Sequence, residues 1–180
     1  MSSPIHPRLV GEEPRPETHY RGARLCPYYW ALERYPWQLF ITLTFVDPVP
    51  PEHQRLAECY RLFRKLARRF HLHFNDLRWF ARDERGATLG RQHYHIFLDG
   101  LPSRRVTTQL CRRIESDWQS RTRASAAVSA YDAMLPGIRY SMMVAADSLS
   151  SEGRESAKLG PRDCPILFST GLKQALGFVR

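Results

Sequence analysis

Between Trp37 and Val46 the chain reads WQLFITLTFV, and its residues alternate in character. Leu39, Ile41, Leu43 and Phe45 fall on one side of an extended chain, with Phe40, Thr42 and Thr44 on the other. Period-two alternation in β-branched and aromatic residues predicts a half-buried strand. Such a strand has one apolar face that requires cover and one face that carries hydroxyls. Asp47-Pro48 ends it, and the cover follows at once. Pro50-Pro51-Glu52 opens a helix. In it Leu56, Cys59, Tyr60, Phe63, Leu66 and Ala67 recur at spacings of three and four. Arg55, Arg61, Arg64, Lys65, Arg68 and Arg69 fill the other side, so the helix is amphipathic with a very basic outer face.

The same patterns repeat downstream. Leu77 to Arg82 reads as a second strand, Asp83 to Gly90 as a hairpin loop, and Gln92 to Leu98 as a third strand stopped by Asp99-Gly100. Pro102-Ser103 starts another helix, with Val106, Leu110, Ile114 and Trp118 on one side. Ala126 to Tyr131 is a fourth strand, Gly137 to Ala146 a further helix, and Ser148 to Asp163 a polar loop. Pro165 to Phe168 is a last strand and Gly171 to Val179 a closing segment. Ahead of the first strand, Leu25 to Tyr35 reads as a short helix closed by Pro36. Residues 1–24, with Pro4, Pro7, Pro14 and Pro16, read as an arm with little structure of its own, and residues 25–180 as one domain.

From the first strand on, the order is β-α-β-β-α-β-α. Its first six elements match the split βαβ, ferredoxin-like pattern. The expected fold is therefore α+β: a central antiparallel sheet with helices mainly on one face and the other face open. RNA-recognition modules bind single strands on such a sheet.

Charge narrows the partner. The 180 residues carry 27 Lys plus Arg against 18 Asp plus Glu, a net charge of +9. Only Lys65, Lys158 and Lys173 are lysines; every other cation is arginine, whose planar fork grips phosphate bidentately and stacks on bases. A polyanion is the first partner to consider. No apolar run approaches the ~20 residues of a membrane helix. The first residues lack the apolar core of a secretory signal, so a cytoplasmic location is expected. Cys26, Cys59, Cys111 and Cys164 form no CxxC pair, which excludes a zinc-ribbon framework.

The sharpest chemical signal is His93-Tyr94-His95. On a strand, residues i and i+2 share a face, so both imidazoles project from one surface and begin a divalent-metal site. Glu84, nine positions upstream across the hairpin, supplies a carboxylate to complete a Glu–His–His set. A second His-x-His, His71-Leu72-His73, lacks strand patterning and an opposing acid, and reads as surface residues or phosphate contacts. Tyr140, in GIRYSMMV, is a candidate nucleophile toward a phosphodiester, with Tyr131 as runner-up and Arg139 placed to hold an adjoining phosphate.

Ile41–Phe45, the block WFARDERGATLGRQHYHIFLDG (Trp79–Gly100) and a downstream tyrosine together resemble the HUH endonucleases. The likeness is greatest to replication initiators of small single-stranded DNA phages and rolling-circle plasmids. It extends from about Trp37 to Val144. The resemblance implies nicking and rejoining of single-stranded DNA or an origin hairpin through a 5′-phosphotyrosine on Tyr140. It further implies Mg²⁺ or Mn²⁺ on Glu84, His93 and His95, and an active site on the open sheet face. Thr42, Thr44, Arg91, Arg139, Arg64 and Arg68 are then the candidate DNA contacts. The chain departs from the usual Tyr-x-x-Lys in that Tyr140 is followed by Ser141, Met142 and Met143; Arg139 or Lys158 would have to supply the cation. No GxxxxGK[ST] appears, so a host helicase would unwind the duplex. A transposase or relaxase of the same chemistry, and a non-cutting single-strand binder using Trp79, Phe80 and Tyr94 as base-stacking platforms, are the alternatives.

Overall fold

The computed structural model describes residues 29–85, 91–134, 138 and 166–177. The expected arm, the tip of the hairpin loop, the polar loop and nearly all of the helix expected at Gly137–Ala146 lie outside the described residues.

The described elements are α1 (Tyr29–Glu33), β1 (Leu39–Thr44), α2 (Glu52–Arg69), β2 (Arg78–Arg85), β3 (Gln92–Asp99), α3 (Thr108–Thr122), β4 (Ala126–Ala130), β5 (Ile166–Phe168) and α4 (Thr170–Ala175). The strands form one antiparallel sheet in the order β4-β1-β3-β2-β5. The first four reproduce the ferredoxin-like order, and β5 extends it beyond β2. The α+β fold expected from the element order is the fold observed.

Strand alternation creates two cores. Leu39, Ile41 and Leu43 of β1, Trp79 and Ala81 of β2, and Tyr94, Ile96 and Leu98 of β3 are buried on one face. They meet Cys59, Leu62, Phe63 and Leu66 of α2 and Leu110, Ile114 and Trp118 of α3. On the other face, Phe80, Phe97 and Ile166 gather Leu32 of α1, Trp37, Ile138 and Leu172 of α4 into a second cluster. The second face is thus open at only one end. Its apolar half requires burial, and its polar half, carrying Thr42, Thr44, Arg82, Glu84, His93 and His95, does not.

Element boundaries moved where local chemistry outweighed composition. β2 runs on through Asp83, Glu84 and Arg85, which the sequence placed in the loop, because these residues pair with Tyr94, His93 and Gln92 of β3. Asp83 is held by Arg55 and by Gln92 as well. The helix expected from Pro102 begins instead at Thr108. Ser103–Arg105 form a single 3₁₀ turn, and Thr107 Oγ1 accepts the Leu110 N–H at 3.2 Å, a standard N-cap. β3 ends against a residue that must be glycine. Gly100 has φ +98°, and a Cβ there would lie 2.0 Å from the Asp76 carbonyl oxygen.

Candidate metal centre

Glu84 stands directly opposite His93 in the β2–β3 ladder, and His95 is two residues further along the same face. The three side chains converge. His93 Nε2 and His95 Nε2 are 3.2 Å apart, and Glu84 Oε2 lies 3.4 Å from His95 Nε2 and 4.0 Å from His93 Nε2. Neighbouring ligands around a small octahedral cation with ~2.1 Å bonds are ~3 Å apart, so this spacing suits one shared ion. Glu84 Oε2 is buried and makes no hydrogen bond among the described residues. A buried carboxylate oxygen in that state is costly unless a cation meets it. No other cluster of three such ligands occurs among the described residues.

Each imidazole is oriented from behind. Thr42, the β1 partner of His95, places Oγ1 3.0 Å from His95 Nδ1. The Arg91 carbonyl oxygen lies 3.1 Å from His93 Nδ1. With Nδ1–H donating to these oxygens, both Nε2 lone pairs face Glu84, the arrangement by which supporting groups fix a metal-ligating histidine. The Phe40 ring stacks on His95 with centroids 5.4 Å apart and planes at 18°. Burial, and then the charges of His93 and Arg82, push the His95 pKa down to about 4, which keeps it neutral and ligand-competent.

Residues 38–136 match the family model of the replication-associated protein of ORF2 type. The chain belongs to that family. The matched segment is over half of the 180 residues and contains the whole triad; it stops short of Arg139 and Tyr140. Comparison with curated proteins and with solved structures gives no match. Membership places this replication-associated chain in DNA replication, in keeping with its arginine-rich charge. Among the described residues no helix is long and apolar enough to cross a membrane.

The remaining sequence candidates divide by place. Thr42 and Thr44 do line the polar end, Thr42 against His95 and Thr44 opposite His93. Arg91 is exposed beside His93. Arg64 and Arg68 are exposed on α2, which packs on the opposite face of the sheet, so the fold does not bring them to the triad. Arg139, Tyr140 and Lys158 lie outside the described residues. Tyr131 packs edge-on against Phe97 in the second cluster, and burial raises its phenol pKa. The base-stacking platforms fail: Trp79, Phe80 and Tyr94 are 1%, 0% and 0% exposed and belong to the cores. Their aromatic character serves packing. His71 is exposed at φ 55°, and His73 caps a 3₁₀ turn by accepting the Asn75 N–H, so neither faces a metal site.

Sequence reasoning missed Arg82. Its side chain is 3% exposed, sits two residues before Glu84 on the same face, and brings Nη2 within 3.9 Å of Glu84 Oε1. The signal was available in the period-two spacing, but nothing in composition marks an arginine as buried.

Proposed function

We propose that this replication-associated chain is an HUH-type endonuclease that nicks and rejoins single-stranded DNA to initiate rolling-circle replication in the cytoplasm. The observation that carries the reading is the convergence of Glu84, His93 and His95 on the polar end of the sheet in a chain of a replication-associated family.

In this reading Glu84, His93 and His95 hold one divalent cation, which neutralises charge on the scissile phosphate. Two imidazoles and one carboxylate favour Mn²⁺ over Mg²⁺, which prefers oxygen ligands alone. Thr42 and the Arg91 carbonyl keep both histidines in the ligating tautomer. Arg82 partly neutralises Glu84 while the site is desolvated. The Tyr140 hydroxyl attacks the phosphorus, a P–O bond to tyrosine forms, and the bond to the 3′ oxygen breaks. The tyrosine proton leaves, and the 3′ oxygen takes one up to become a free hydroxyl. One phosphodiester replaces another, so the 3′-hydroxyl can later reverse the step and rejoin the strand. A non-cutting binder on the same fold is the second reading, favoured by Met143 where the family pattern has lysine.

The test is a denaturing gel of the protein incubated with single-stranded oligonucleotides and Mn²⁺. A covalent protein–DNA band is expected from the wild type, lost with a chelator and lost in Tyr140→Phe. A band that survives in Tyr140→Phe moves the nucleophile to Tyr131. DNA binding without any band, on oligonucleotides that include the cognate origin, supports the non-cutting binder.

A further inference from the structure

We propose that the cleft next to the triad is the seat of the DNA backbone flanking the scissile phosphate, gripped by Arg91 and Arg123; this rests on the nicking reading above. The cleft has a volume of about 340 Å³ and is lined in part by Thr44, Asp47, Arg91, Gln119, Arg123 and Ser125. It begins where the triad ends. Thr44 is the β1 partner of His93, and Arg91 is the residue whose carbonyl orients His93.

The walls are fixed before anything binds. The Thr44 N–H donates to the Ser125 carbonyl at 3.0 Å, and Trp118 Nε1 donates to the Thr44 carbonyl at 3.2 Å. The Phe45 N–H donates to the Gln92 carbonyl at 2.9 Å. The end of β1 is thereby tied to β3 and to the C-terminal end of α3, so little ordering cost remains on binding.

Charge distinguishes this cleft from its neighbour. The cleft on the other side of Phe45 and Val46 contains Arg55 and Arg121, but Asp83 and Glu58 pair with them. Arg91 and Arg123 are exposed, and among the described residues neither guanidinium forms an ion pair. Asp47 offsets one of the two charges and leaves a cationic surface with hydroxyl and amide donors at Thr44, Ser125 and Gln119. That set fits a phosphodiester chain, each unit of which carries one charge and several acceptor oxygens.

Arg123 occupies an unfavourable position for its type. It caps α3 at φ 60°, ψ 11°, the left-handed region in which glycine is preferred. Arg123→Gly therefore deletes the guanidinium while relieving the backbone, and the variant folds at least as well as the wild type. This separates loss of binding from loss of fold.

The experiment measures fluorescence anisotropy of a labelled oligothymidylate against salt concentration. Arg123→Gly and Arg91→Ala should each raise Kd about tenfold. Each should also flatten the slope of log K against log salt by about 0.7, the contribution of one single-strand phosphate. Arg112→Ala, an exposed change elsewhere on α3, should match the wild type. Unchanged affinity and slope in both cleft variants would overturn the cleft assignment, while a Mn²⁺-dependent adduct from the wild type would leave the nicking reading intact. A wild type that neither binds the oligonucleotide nor forms an adduct with cognate DNA would remove both.

Discussion

His95 is restrained on three sides: Thr42 Oγ1 on Nδ1, the Phe40 ring on its face, and Glu84 beyond Nε2. Removing one restraint without changing shape isolates its contribution. Thr42→Val keeps the β-branched fit but strips the Nδ1 partner, and should weaken Mn²⁺ binding between about tenfold and a hundredfold by calorimetric titration. The protonation of His95 gives a second check. In the metal-free protein burial holds its pKa near 4, below the ordinary 6.5 of the unfolded chain. Between those values the unfolded state binds the extra proton, so stability is full above about 6.5 and falls as pH drops toward 4. Chemical denaturation at neutral pH and at about pH 4.5 should show that loss, and His95→Asn should reduce it. At this scale the sequence was most informative where geometry is local. The i, i+2 spacing of His93 and His95 decides their common face whatever surrounds them. Burial is set by distant chain, which is why Arg82 went unnoticed and why Trp79, Phe80 and Tyr94 were misread as exposed platforms.

Turns and caps decide where the elements end, and they carry the sharpest packing constraints. Gly100 closes β3 against the Asp76 carbonyl, with 2.0 Å between that oxygen and a hypothetical Cβ. Gly100→Ala should therefore destabilise by more than about 2 kcal/mol in denaturant titrations. Gly177→Ala, also at positive φ (+73°) but with open space around it, should cost only about 1 kcal/mol. The strands and both long helices were legible because their apolar periodicity spans many residues. The extra length of β2 was not, since Asp83, Glu84 and Arg85 look like loop residues until β3 pairs with them and Arg55 reaches Asp83. The consequence is functional: Glu84 belongs to a rigid strand and faces His93 in register. The late start of α3 was equally hidden, because the Thr107 hydroxyl outcompetes the Pro102-Ser103 signal.

The whole molecule is a sheet with a core on each side, and the metal centre occupies the polar end that neither core covers. The strand order followed from the element order alone, because β-α-β-β-α-β has few compact solutions. The second core did not, since it joins Leu32 and Trp37 to Ile138, Ile166 and Leu172 across most of the chain. Because Glu84 bridges to β3 only through the shared ion in this account, metal binding should stabilise the whole sheet. At Mn²⁺ a hundredfold above its Kd, unfolding should require about 2.7 kcal/mol more than in chelator. The most direct test of the central claim is a Mn²⁺ titration followed by electron paramagnetic resonance, in which free Mn²⁺ gives the signal and bound Mn²⁺ does not. The account predicts that the wild type removes one equivalent of signal and that His93→Ala with His95→Ala removes none. One equivalent bound equally by that double variant, or none bound by the folded wild type, would contradict it.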